Sequence, residues 1–567
     1  MAIENLIQLL RERAVDRPDR VLLRFRRNGA WHEWNYGLVL HRVEAIAGGL
    51  EVLGVRPGDR AAILSGSRPE WILADLGSMA AGAVVLGIDP ELPEEETACI
   101  LDHVEARVAF VEDWETAMRI TGTRHRAPTL EHVILLEGEA TGDPAVLSLQ
   151  ALESLAAPGR GAIRLDRTAR RAREAPATIC YTAGTTGLPK GALLTHGNLI
   201  GALAASARAF ADALRPIEQV LCPVAPSSVL GRICGEFAAV FLGRTLALGT
   251  PGGTLGTPGE VIGRPGGASG HACDALLEDA AALRPDALVA TPRLLGRIRE
   301  RLGDRPPRER LGGRLAAIFC GGAPLDPGIA RFFGADGIRV FDGWGMAETA
   351  GPVTANRPGA ARAGSVGRPL PGIEVRVAAD GELLVHGPNV FSGYYREPER
   401  SADAFDEHGF LRTGDVGRID EDGFVYVTGR KSDLIVSADG RVVAPQKIEQ
   451  LLHERPFIAH AIAYGDRRPF MVALLTIDRD AIAAWHPELT DRPIGDPALQ
   501  ALVEEEVRRV NDRLPEPERI RAFRLLDGDE TGGLAVLRRL RRPEAEARFR
   551  PILDELYVAE QVASRPS

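Results

Sequence analysis

A glycine- and threonine-rich segment that ends in a single lysine is the strongest chemical signal in the chain. It reads Tyr181-Thr-Ala-Gly-Thr-Thr-Gly-Leu-Pro-Lys190-Gly191 and follows the apolar segment Ala177–Cys180. Glycines let a backbone approach a polyphosphate closely, while threonine hydroxyls, backbone N–H groups and a lysine ammonium supply donors and positive charge. Because the spacing differs from a Walker A loop, we predict another type of phosphate cradle. Its predicted binding residues are Thr182, Gly184, Thr185, Thr186, Gly187 and Lys190.

Further segments with small or charged residues follow in order along the chain. They read Cys320-Gly-Gly-Ala-Pro324, Gly343-Trp-Gly-Met-Ala-Glu348-Thr, Thr413-Gly-Asp415, Gly429-Arg430 and Ala444-Pro-Gln-Lys447-Ile-Glu449. Together with the first segment they resemble the superfamily of acyl-CoA synthetases, peptide-synthetase adenylation domains and firefly luciferases, most closely its long-chain acyl-CoA synthetase branch. The resemblance covers nearly the whole chain. It implies an AMP-forming ligase that binds ATP with magnesium, transfers AMP to an acidic oxygen of a small substrate and releases pyrophosphate.

The resemblance also implies how the adenine base is held. Small residues would form a wall that leaves room for a flat base, namely Gly321, Gly322, Ala323 and Pro324. The adjoining nucleotide-binding residues would be Asp342, Gly343, Trp344, Gly345, Met346 and Ala347. Trp344 stands where the family usually has tyrosine, and an indole offers a larger stacking face. The alternatives are an apolar turn for the wall and a core position for Trp344.

The charged residues of these motifs have implied roles as well. Glu348 and Thr182 are similar to the family's magnesium ligands, hard oxygens that suit a hard cation. Asp415 would accept both ribose hydroxyls, one with each carboxylate oxygen. Arg430 would lie near the ribose and phosphate, with a structural salt bridge at a domain boundary as the alternative. The predicted catalytic residues are therefore Thr182, Thr185, Lys190, Glu348 and Arg430, whereas His196 and Asn198 are expected at the start of a helix.

Two departures from the family's pattern concern the contact with the acid and the entry of CoA. Family members that activate carboxylates end with a lysine that contacts the carboxylate and the α-phosphate; here that position falls on Ala535, and no lysine follows Lys447. The loop that lines the family's pantetheine tunnel after domain rotation usually reads Gly-Gly and then Asn. Here it contains Asp439 and Val442. Because a charge is costly to desolvate in a narrow tunnel, we expect poor use of CoA.

Two smaller departures concern the hinge and the acyl site. The hinge position, commonly Asp or Lys, is Ser432, and the segment around Ser228 lacks the histidine that long-chain synthetases carry there. The sequence therefore predicts an intact nucleotide pocket beside an altered acid contact, CoA tunnel and acyl entrance.

The patterning along the chain predicts the elements that position these residues. From Asn5 to Phe110, and again from Ala177 to about Val340, helical and strand patterns alternate, which predicts mostly parallel sheets covered by helices. Short alternating segments from about residue 364 to 428 predict a β subdomain. We thus expect an α/β fold with an N-terminal AMP-binding domain, residues 1–428, and a small mobile α+β lid, residues 429–567.

Composition excludes several classes of protein. The net charge of −10 is spread along the 567 residues, which argues against a nucleic-acid or membrane-surface partner. No apolar run is long enough for a membrane span, and Glu4 and Arg11 interrupt the start where a secretion signal would be apolar. We therefore expect a cytoplasmic protein. The six cysteines lack the paired spacing of metal or redox sites, so buried free thiols are expected.

Three functional hypotheses remain at this point. The first is a ligase that activates a small organic acid and passes it to an acceptor, which could be CoA, an amine or a carrier protein. The second is a diazotase that activates nitrite for an aromatic amine, since a small inorganic acid needs neither a long acyl tunnel nor CoA. The third is a non-catalytic nucleotide-binding relative, which the missing lysine favours and the retained Thr182, Glu348, Asp415 and Arg430 disfavour.

Overall fold

The computed structural model describes residues 3–140, 142–157, 168, 172–182, 190–249, 268–526 and 542–563. Several predicted features lie outside these residues, namely Gly184, Thr185, Thr186 and Gly187 of the phosphate cradle, most of the 160–173 linker, and Ala535. The roles given to them stay predictions.

The first large sheet has seven strands in the order β7-β6-β5-β3-β4-β8-β9. Neighbouring strands are parallel except β8 and β9, which form an antiparallel pair. The strands are β3 (Arg60–Leu64), β4 (Val84–Ile88), β5 (Ala106–Val111), β6 (His132–Leu135), β7 (Val146–Ser148), β8 (Pro176–Thr182) and β9 (Lys190–Thr195). The apolar segment after the turn Pro57-Gly58-Asp59 predicts a buried strand; this strand is β3, and the residues Ala61–Leu64 within it are fully buried.

The second large sheet has nine strands in the order β16-β15-β14-β13-β12-β10-β11-β1-β2. Its central strands are parallel, and both edges are antiparallel. The strands are β1 (Val21–Arg27), β2 (Ala30–Asn35), β10 (Gln219–Cys222), β11 (Thr245–Leu248), β12 (Ala287–Ala290), β13 (Ala317–Cys320), β14 (Arg339–Met346), β15 (Gly351–Ala355) and β16 (Arg368–Pro369). The prediction of mostly parallel sheets is confirmed.

Helices cover these sheets and connect their strands. The described helices of this part are α1 (Leu6–Asp16), α2 (Tyr36–Val52), α3 (Pro69–Ala80), α4 (Glu94–His103), α5 (Trp114–Gly122), α6 (Leu149–Ser154), α7 (His196–Ala209), α8 (Ala211–Leu214), a π-helix (Leu230–Phe237), α9 (Ala238–Leu242), α10 (Ala268–Leu283), α11 (Pro292–Leu302), α12 (Pro307–Arg310) and α13 (Pro327–Ala335). The spacing of Leu6, Leu9, Leu10 and Ala14 predicts a helical stripe, and all four are buried in α1. The many Gly, Pro and Thr residues of Gly249–Ala272 predict a loop; this prediction is wrong at its end, because α10 begins at Ala268, and residues 250–267 lie outside the described part of the chain.

A smaller antiparallel sheet follows, as the alternating segments predict. Its strands, in sheet order, are β17 (Glu374–Val377), β18 (Glu382–His386), β19 (Leu411–Ile419) and β20 (Val425–Arg430), with helix α14 (Pro398–Asp403) between β18 and β19. The register pairs Asp415 on β19 with Arg430 on β20. Two motif residues that are 15 positions apart are therefore neighbours across one strand pair.

The C-terminal part has its own sheet and core. Its strands are β21 (Ile435–Val436), β22 (Val442–Val443), β23 (Ile458–Tyr464), β24 (Met471–Ile477) and β25 (Ile520–Leu525), and its helices are α15 (Pro445–His453), α16 (Arg479–Trp485), α17 (Pro497–Asn511) and α18 (Arg542–Ala563). Apolar residues between Ile435 and Leu525 form one buried cluster among themselves. The domain boundary after residue 428 stays a prediction. No helix in the described ranges is long and apolar enough to cross a membrane.

Candidate active site

The β8–β9 pair positions the lysine of the phosphate cradle. Thr182 and Lys190 are direct partners across this antiparallel pair. The two ends of the predicted phosphate cradle are therefore neighbours. A side chain at Gly191 would come within 2.8 Å of Ile179, so glycine is required next to the lysine. The Lys190 Nζ lies 5.1 Å from the centre of the Tyr394 ring, a cation–π distance.

Tyr394 connects the lysine to the predicted metal ligand. Its hydroxyl donates a hydrogen bond of 2.8 Å to Oε1 of Glu348. Burial raises the pKa of the Tyr394 phenol, and the neighbouring Glu348 carboxylate raises it further, so the phenol keeps its proton as donor. Lys190, Tyr394 and Glu348 therefore form one cluster, which we call the phosphate-side cluster.

Glu348 is held rigidly in a 3-10 turn, Ala347–Thr349, that follows β14. Its side chain is buried, and its backbone carbonyl accepts a hydrogen bond of 2.8 Å from the N–H of Phe391. No group of three or more His, Cys, Asp or Glu residues that could hold a metal occurs among the described residues. A single buried carboxylate fits magnesium, which proteins often bind through one or two carboxylates together with substrate phosphates.

Asp415 lies between two donors at the start of the small sheet. The Trp344 indole Nε1 donates a hydrogen bond of 2.7 Å to its Oδ2, and the Arg430 Nε lies 2.9 Å from its Oδ1. Burial raises the pKa of Asp415, while Arg430 and the indole N–H partly oppose this rise. We call Trp344, Asp415 and Arg430 the ribose-side cluster. The structure thus brings together three of the predicted residues.

Trp344 takes the core position that the sequence allowed, and its role in stacking on adenine stays a prediction. It is almost fully buried, as the core alternative proposed, but its N–H is used to orient Asp415. Arg430 likewise makes the salt bridge that its alternative proposed, and the partner is the predicted ribose ligand itself. The sequence did not predict that Asp415 is the partner of both side chains.

The predicted adenine wall follows β13. Gly321 is half-buried and Gly322, Ala323 and Pro324 are exposed, so small residues border open space. A Cβ at Gly321 would lie 3.6 Å from Leu230 of the π-helix. The carbonyl of Pro324 accepts a hydrogen bond of 3.0 Å from the Gln450 side chain on α15, which places the C-terminal part beside the wall.

The glycines of β14 are required by the neighbouring strand. A Cβ at Gly345 would lie 2.0 Å from the carbonyl oxygen of Gly351, and one at Gly343 would lie 2.5 Å from that of Thr354. Asp342 accepts a hydrogen bond of 2.9 Å from the Asn356 side chain, and burial raises its pKa. These glycines therefore have a packing reason in addition to any contact with a nucleotide.

Other expectations have mixed outcomes. Thr195 and Asn198 form a reciprocal capping box at the start of α7, which confirms that Asn198 belongs to a helix start. All six cysteines are free thiols. Three of them, Cys99, Cys180 and Cys234, are only partly buried, so the expectation of burial is wrong for half of the set.

Family models decide the identity of the chain. Residues 10–395 match the model of AMP-binding enzymes, and residues 432–561 match the model of the AMP-binding enzyme C-terminal domain. The chain belongs to the AMP-binding enzyme family. It is an adenylate-forming ligase, because the curated proteins to which it is similar are ligases of this family.

Individual relatives extend over almost the whole of this AMP-binding enzyme. The long-chain-fatty-acid–CoA ligase FadD15 of Mycobacterium tuberculosis is 32% identical over 98% of the chain and 97% of the relative. Human long-chain-fatty-acid–CoA ligase 1 is 26% identical and covers 93% of the chain and 82% of the relative. These names do not favour the nitrite-activating alternative.

Solved structures confirm the fold. The anthranilate CoA ligase AuaEII, in complex with anthranoyl-AMP, has a TM-score of 0.75 at 20% identity and covers 98% of the chain and 99% of its own. The o-succinylbenzoate CoA synthetase MenE of Bacillus subtilis, in complex with ATP and magnesium ion, has a TM-score of 0.69 at 22% identity. The match covers 92% of the present chain and 96% of MenE. The α/β fold with a large N-terminal part and a C-terminal domain is shared with both.

Proposed function

We propose that this enzyme uses ATP and magnesium to activate a carboxylic acid as its AMP anhydride. The observation that carries the proposal is the phosphate-side cluster, because a lysine ammonium and a buried carboxylate lie on either side of one tyrosine. This pair of charges suits a magnesium-bound polyphosphate, with the ammonium near phosphate oxygens and the carboxylate near the cation.

The reaction can be written with these residues in place. A carboxylate oxygen of the substrate attacks the α-phosphorus of ATP, and the bond between this phosphorus and the bridging oxygen to the β-phosphate breaks. Pyrophosphate leaves with the electron pair. Lys190 would stabilise the negative charge that develops on the phosphate oxygens, and Glu348 would hold magnesium, which would supply further positive charge to the same oxygens.

The ribose-side cluster would fix the nucleoside during this step. Asp415 can accept ribose hydroxyls through the lone pairs that its two donors leave available, since an ionised carboxylate has about four acceptor sites. Trp344 and Arg430 hold that carboxylate in one orientation, and alignment of the reacting atoms depends on such fixed contacts.

The proposal extends to the identity of the acid substrate and of the acceptor. The relatives named as long-chain-fatty-acid–CoA ligases support a fatty acid as substrate and make CoA the first acceptor to assay. Asp439 and Val442 predict that transfer to CoA is slow, so an amine or a carrier protein follows as the alternative acceptor. Adenylation and transfer should therefore be measured separately.

Pyrophosphate release tests the proposal directly. The enzyme is assayed with ATP, magnesium and a panel of carboxylic acids of increasing chain length, with nitrite included, and each reaction is run with and without CoA. We expect release that depends on magnesium and on a carboxylic acid. Release with nitrite and an aromatic amine alone would instead support the diazotase.

The variant Glu348→Gln tests the residue on which the proposal rests. Replacing the carboxylate with a neutral amide of the same shape should lower turnover on the order of 100-fold, because the charge that holds the cation is lost. The exposed acid Glu374 provides the matched control as Glu374→Gln. Normal release by Glu348→Gln, with normal circular dichroism, would contradict the assignment.

A further inference from the structure

A cavity of about 320 Å³ lies in the N-terminal part, outside all of the motifs. Four arginines and a tyrosine line it, namely Arg13, Arg17, Arg20, Arg244 and Tyr36. Arg13, Arg17 and Arg20 lie between the last turn of α1 and the start of β1, Tyr36 begins α2, and Arg244 lies two residues after α9. Three stretches of sequence therefore converge on one basic cavity, which we call the arginine pocket.

The positive charge of this pocket is only partly compensated. Among the described residues, Glu218 is the one acid that contacts the lining arginines, and it accepts hydrogen bonds from both Arg20 and Arg244. Four guanidinium groups thus share a single carboxylate, so the net charge of these five groups is +3. Arg17 makes no ion pair with any acid in the described ranges.

Two of the guanidinium groups also have unused donors. The Nε atoms of Arg13 and Arg244 are buried without a hydrogen-bond partner in the described part of the chain. Arg13 is otherwise held by a hydrogen bond of 3.1 Å from its Nη2 to the carbonyl of Phe241. Gly243 has a left-handed φ of 64°, and a Cβ there would lie 3.2 Å from the Arg13 Nε. The end of α9 is therefore packed directly against this arginine.

Tyr36 forms the floor of the pocket. It is fully buried, and its hydroxyl points towards the carbonyl oxygens of Ala239 and Arg244 at 3.4 and 3.5 Å. Burial raises the pKa of the Tyr36 phenol, while the nearby Arg13, Arg20 and Arg244 act in the opposite direction. Three guanidinium groups are thus close enough to act on one phenol at the base of the cavity.

We propose that the arginine pocket binds a small phosphate-bearing anion. Guanidinium groups present planar forks that match the oxygens of a phosphate, and Arg is preferred wherever such bidentate recognition occurs. Like charges that are held together in a concave site repel one another and concentrate anions from solution, so an anion with two or more charges relieves this repulsion. The volume accommodates pyrophosphate or a small organic phosphate ester.

The position of the pocket separates it from the reaction site. Helix α9 continues directly from the π-helix, whose Leu230 faces Gly321 of the adenine wall, whereas Arg244 follows the other end of α9. The pocket and the candidate active site therefore lie at opposite ends of one helical run. The proposal does not depend on the function that we assign to the active site.

Isothermal titration calorimetry of the full chain tests this proposal, with inorganic pyrophosphate as the first probe. The same titration is run on Arg17→Gln, because Arg17 is exposed and has no ion pair to lose. We expect the wild type to show one more saturable pyrophosphate site than the variant, or the same site at least about ten-fold tighter. Comparing the two proteins cancels any binding at the active site, which is unchanged in both.

Two further proteins complete the comparison. The double variant Arg17→Gln/Arg20→Gln should lose the site entirely, and Arg215→Gln, which changes an exposed arginine outside the pocket, should keep it. Coincident isotherms for the wild type and the double variant would overturn the proposal.

Phenyl phosphate and inorganic phosphate are then titrated side by side. Tighter binding of the ester assigns an organic phosphate, and tighter binding of phosphate assigns an inorganic anion.

Discussion

Tyr394 links the two charged side chains on which the proposed phosphate chemistry depends. Its ring faces Lys190 and its hydroxyl holds Glu348, so a single residue sets the distance between a cation and a carboxylate. A hydrogen bond to a charged group contributes about 1.5–3 kcal/mol. A tyrosine in this position therefore orients the predicted metal ligand.

The variant Tyr394→Phe separates the two contacts of this side chain. Phenylalanine keeps the ring against Lys190 but removes the donor to Glu348, so we expect turnover to fall about ten-fold and the magnesium requirement to rise. The turnover of Tyr394→Leu should fall further, because the cation–π contact with Lys190 is lost as well. Pyrophosphate release measured against magnesium concentration checks both. A magnesium dependence that is unchanged in Tyr394→Phe would show that Glu348 needs no such support.

The Trp344 indole N–H orients Asp415 as the Tyr394 hydroxyl orients Glu348. Its effect on the pKa of Asp415 should appear in the pH dependence of ATP binding. Burial already raises the pKa of Asp415, and the indole donor limits that rise by stabilising the ionised form. Trp344→Phe should therefore raise the pKa further. Because only the ionised carboxylate accepts two hydroxyls, affinity for ATP should begin to fall at a higher pH in the variant as the solution is acidified.

The control for this prediction is Trp344→Tyr, which restores a hydroxyl donor of the kind that the family usually carries. We expect its pH profile for the KM of ATP to lie closer to the wild type than that of Trp344→Phe. Identical acid limbs for all three proteins would mean that the indole N–H does not act on Asp415.

The residues that motifs predicted and those that they missed differ in a physical way. Lys190, Glu348 and Asp415 carry charges that a phosphate, a cation and a sugar each require, so their side-chain chemistry alone suggested roles. Tyr394 carries no such signal, since its importance arises from a contact with a residue 46 positions away. Only the folded arrangement of β9, β14 and the segment before α14 makes that contact possible.

At the scale of elements, the π-helix is the main feature that the sequence did not predict. Its Arg232 is buried and donates to both oxygens of Asp75 on α3, at 2.6 Å from Nε and 2.5 Å from Nη2. A third donor, Nη1, reaches the Thr178 hydroxyl on β8 at 2.6 Å. The widened helix thus connects α3 to the first sheet through one guanidinium. π-Helices occur often at functional sites, and this one borders the adenine wall.

Glu236 makes the same element sensitive to pH. It is buried in the π-helix, and neither of its carboxyl oxygens has a hydrogen-bond partner among the described residues. Burial, and next the charge of Asp75, raise its pKa well above the ordinary value. The folded state therefore keeps a proton that the unfolded state releases, and folding stability falls as pH rises from the unfolded pKa towards the folded one.

The variant Glu236→Gln should remove this loss of stability. We expect it to unfold at a higher temperature than the wild type at neutral pH, with a difference that increases by up to about 1.4 kcal/mol per pH unit across that window. Thermal unfolding of both proteins over a series of pH values measures this, and Glu374→Gln on an exposed strand is the control. Parallel stability curves would mean that Glu236 is ionised in the folded protein.

Local patterns predicted regular elements better than irregular ones. The buried stripe of α1, strand β3 and helix α15 follow from hydrophobic periodicity and from a proline at the first helical position. The apolar pattern of residues 433–437 predicts a strand, but the strand is reduced to Ile435–Val436, because Lys431–Asp433 form a 3-10 turn. Lys431 is paired there with Asp380 and Glu382 of the small sheet, partners that sequence periodicity cannot reveal.

At the scale of the whole molecule, the C-terminal part has an apolar core of its own and polar contacts with the rest. Besides the bond from Gln450 to the adenine wall, Arg513 lies 3.5 Å from Asp326. Polar interfaces of this kind permit relative motion between domains. This supports the prediction of a lid that reorients about the region of Arg430.

Asp439 connects that motion to the acceptor. In this structure it is exposed on the turn between β21 and β22, where the Ser437 hydroxyl donates to it at 2.5 Å and the Arg441 Nε lies 3.0 Å away. In the present orientation of the lid, the Asp439 carboxylate therefore does not obstruct an acceptor. By the family resemblance, the same turn lines the pantetheine tunnel once the lid has rotated, and there the side chain would meet the acceptor.

The variant Asp439→Gly should therefore leave pyrophosphate release unchanged and raise the rate of thioester formation with CoA. Misplacement of an extended pantetheine by about 1 Å can cost on the order of 100-fold in rate, and a carboxylate also repels the CoA phosphates where water is scarce. Asp491→Gly, at another exposed acid of the lid, should change neither step. Both rates are measured with the best acid substrate and saturating CoA. Wild-type thioester formation that already matches pyrophosphate release would mean that the turn stays clear of the tunnel, since a blocked acceptor path must slow the second step relative to the first.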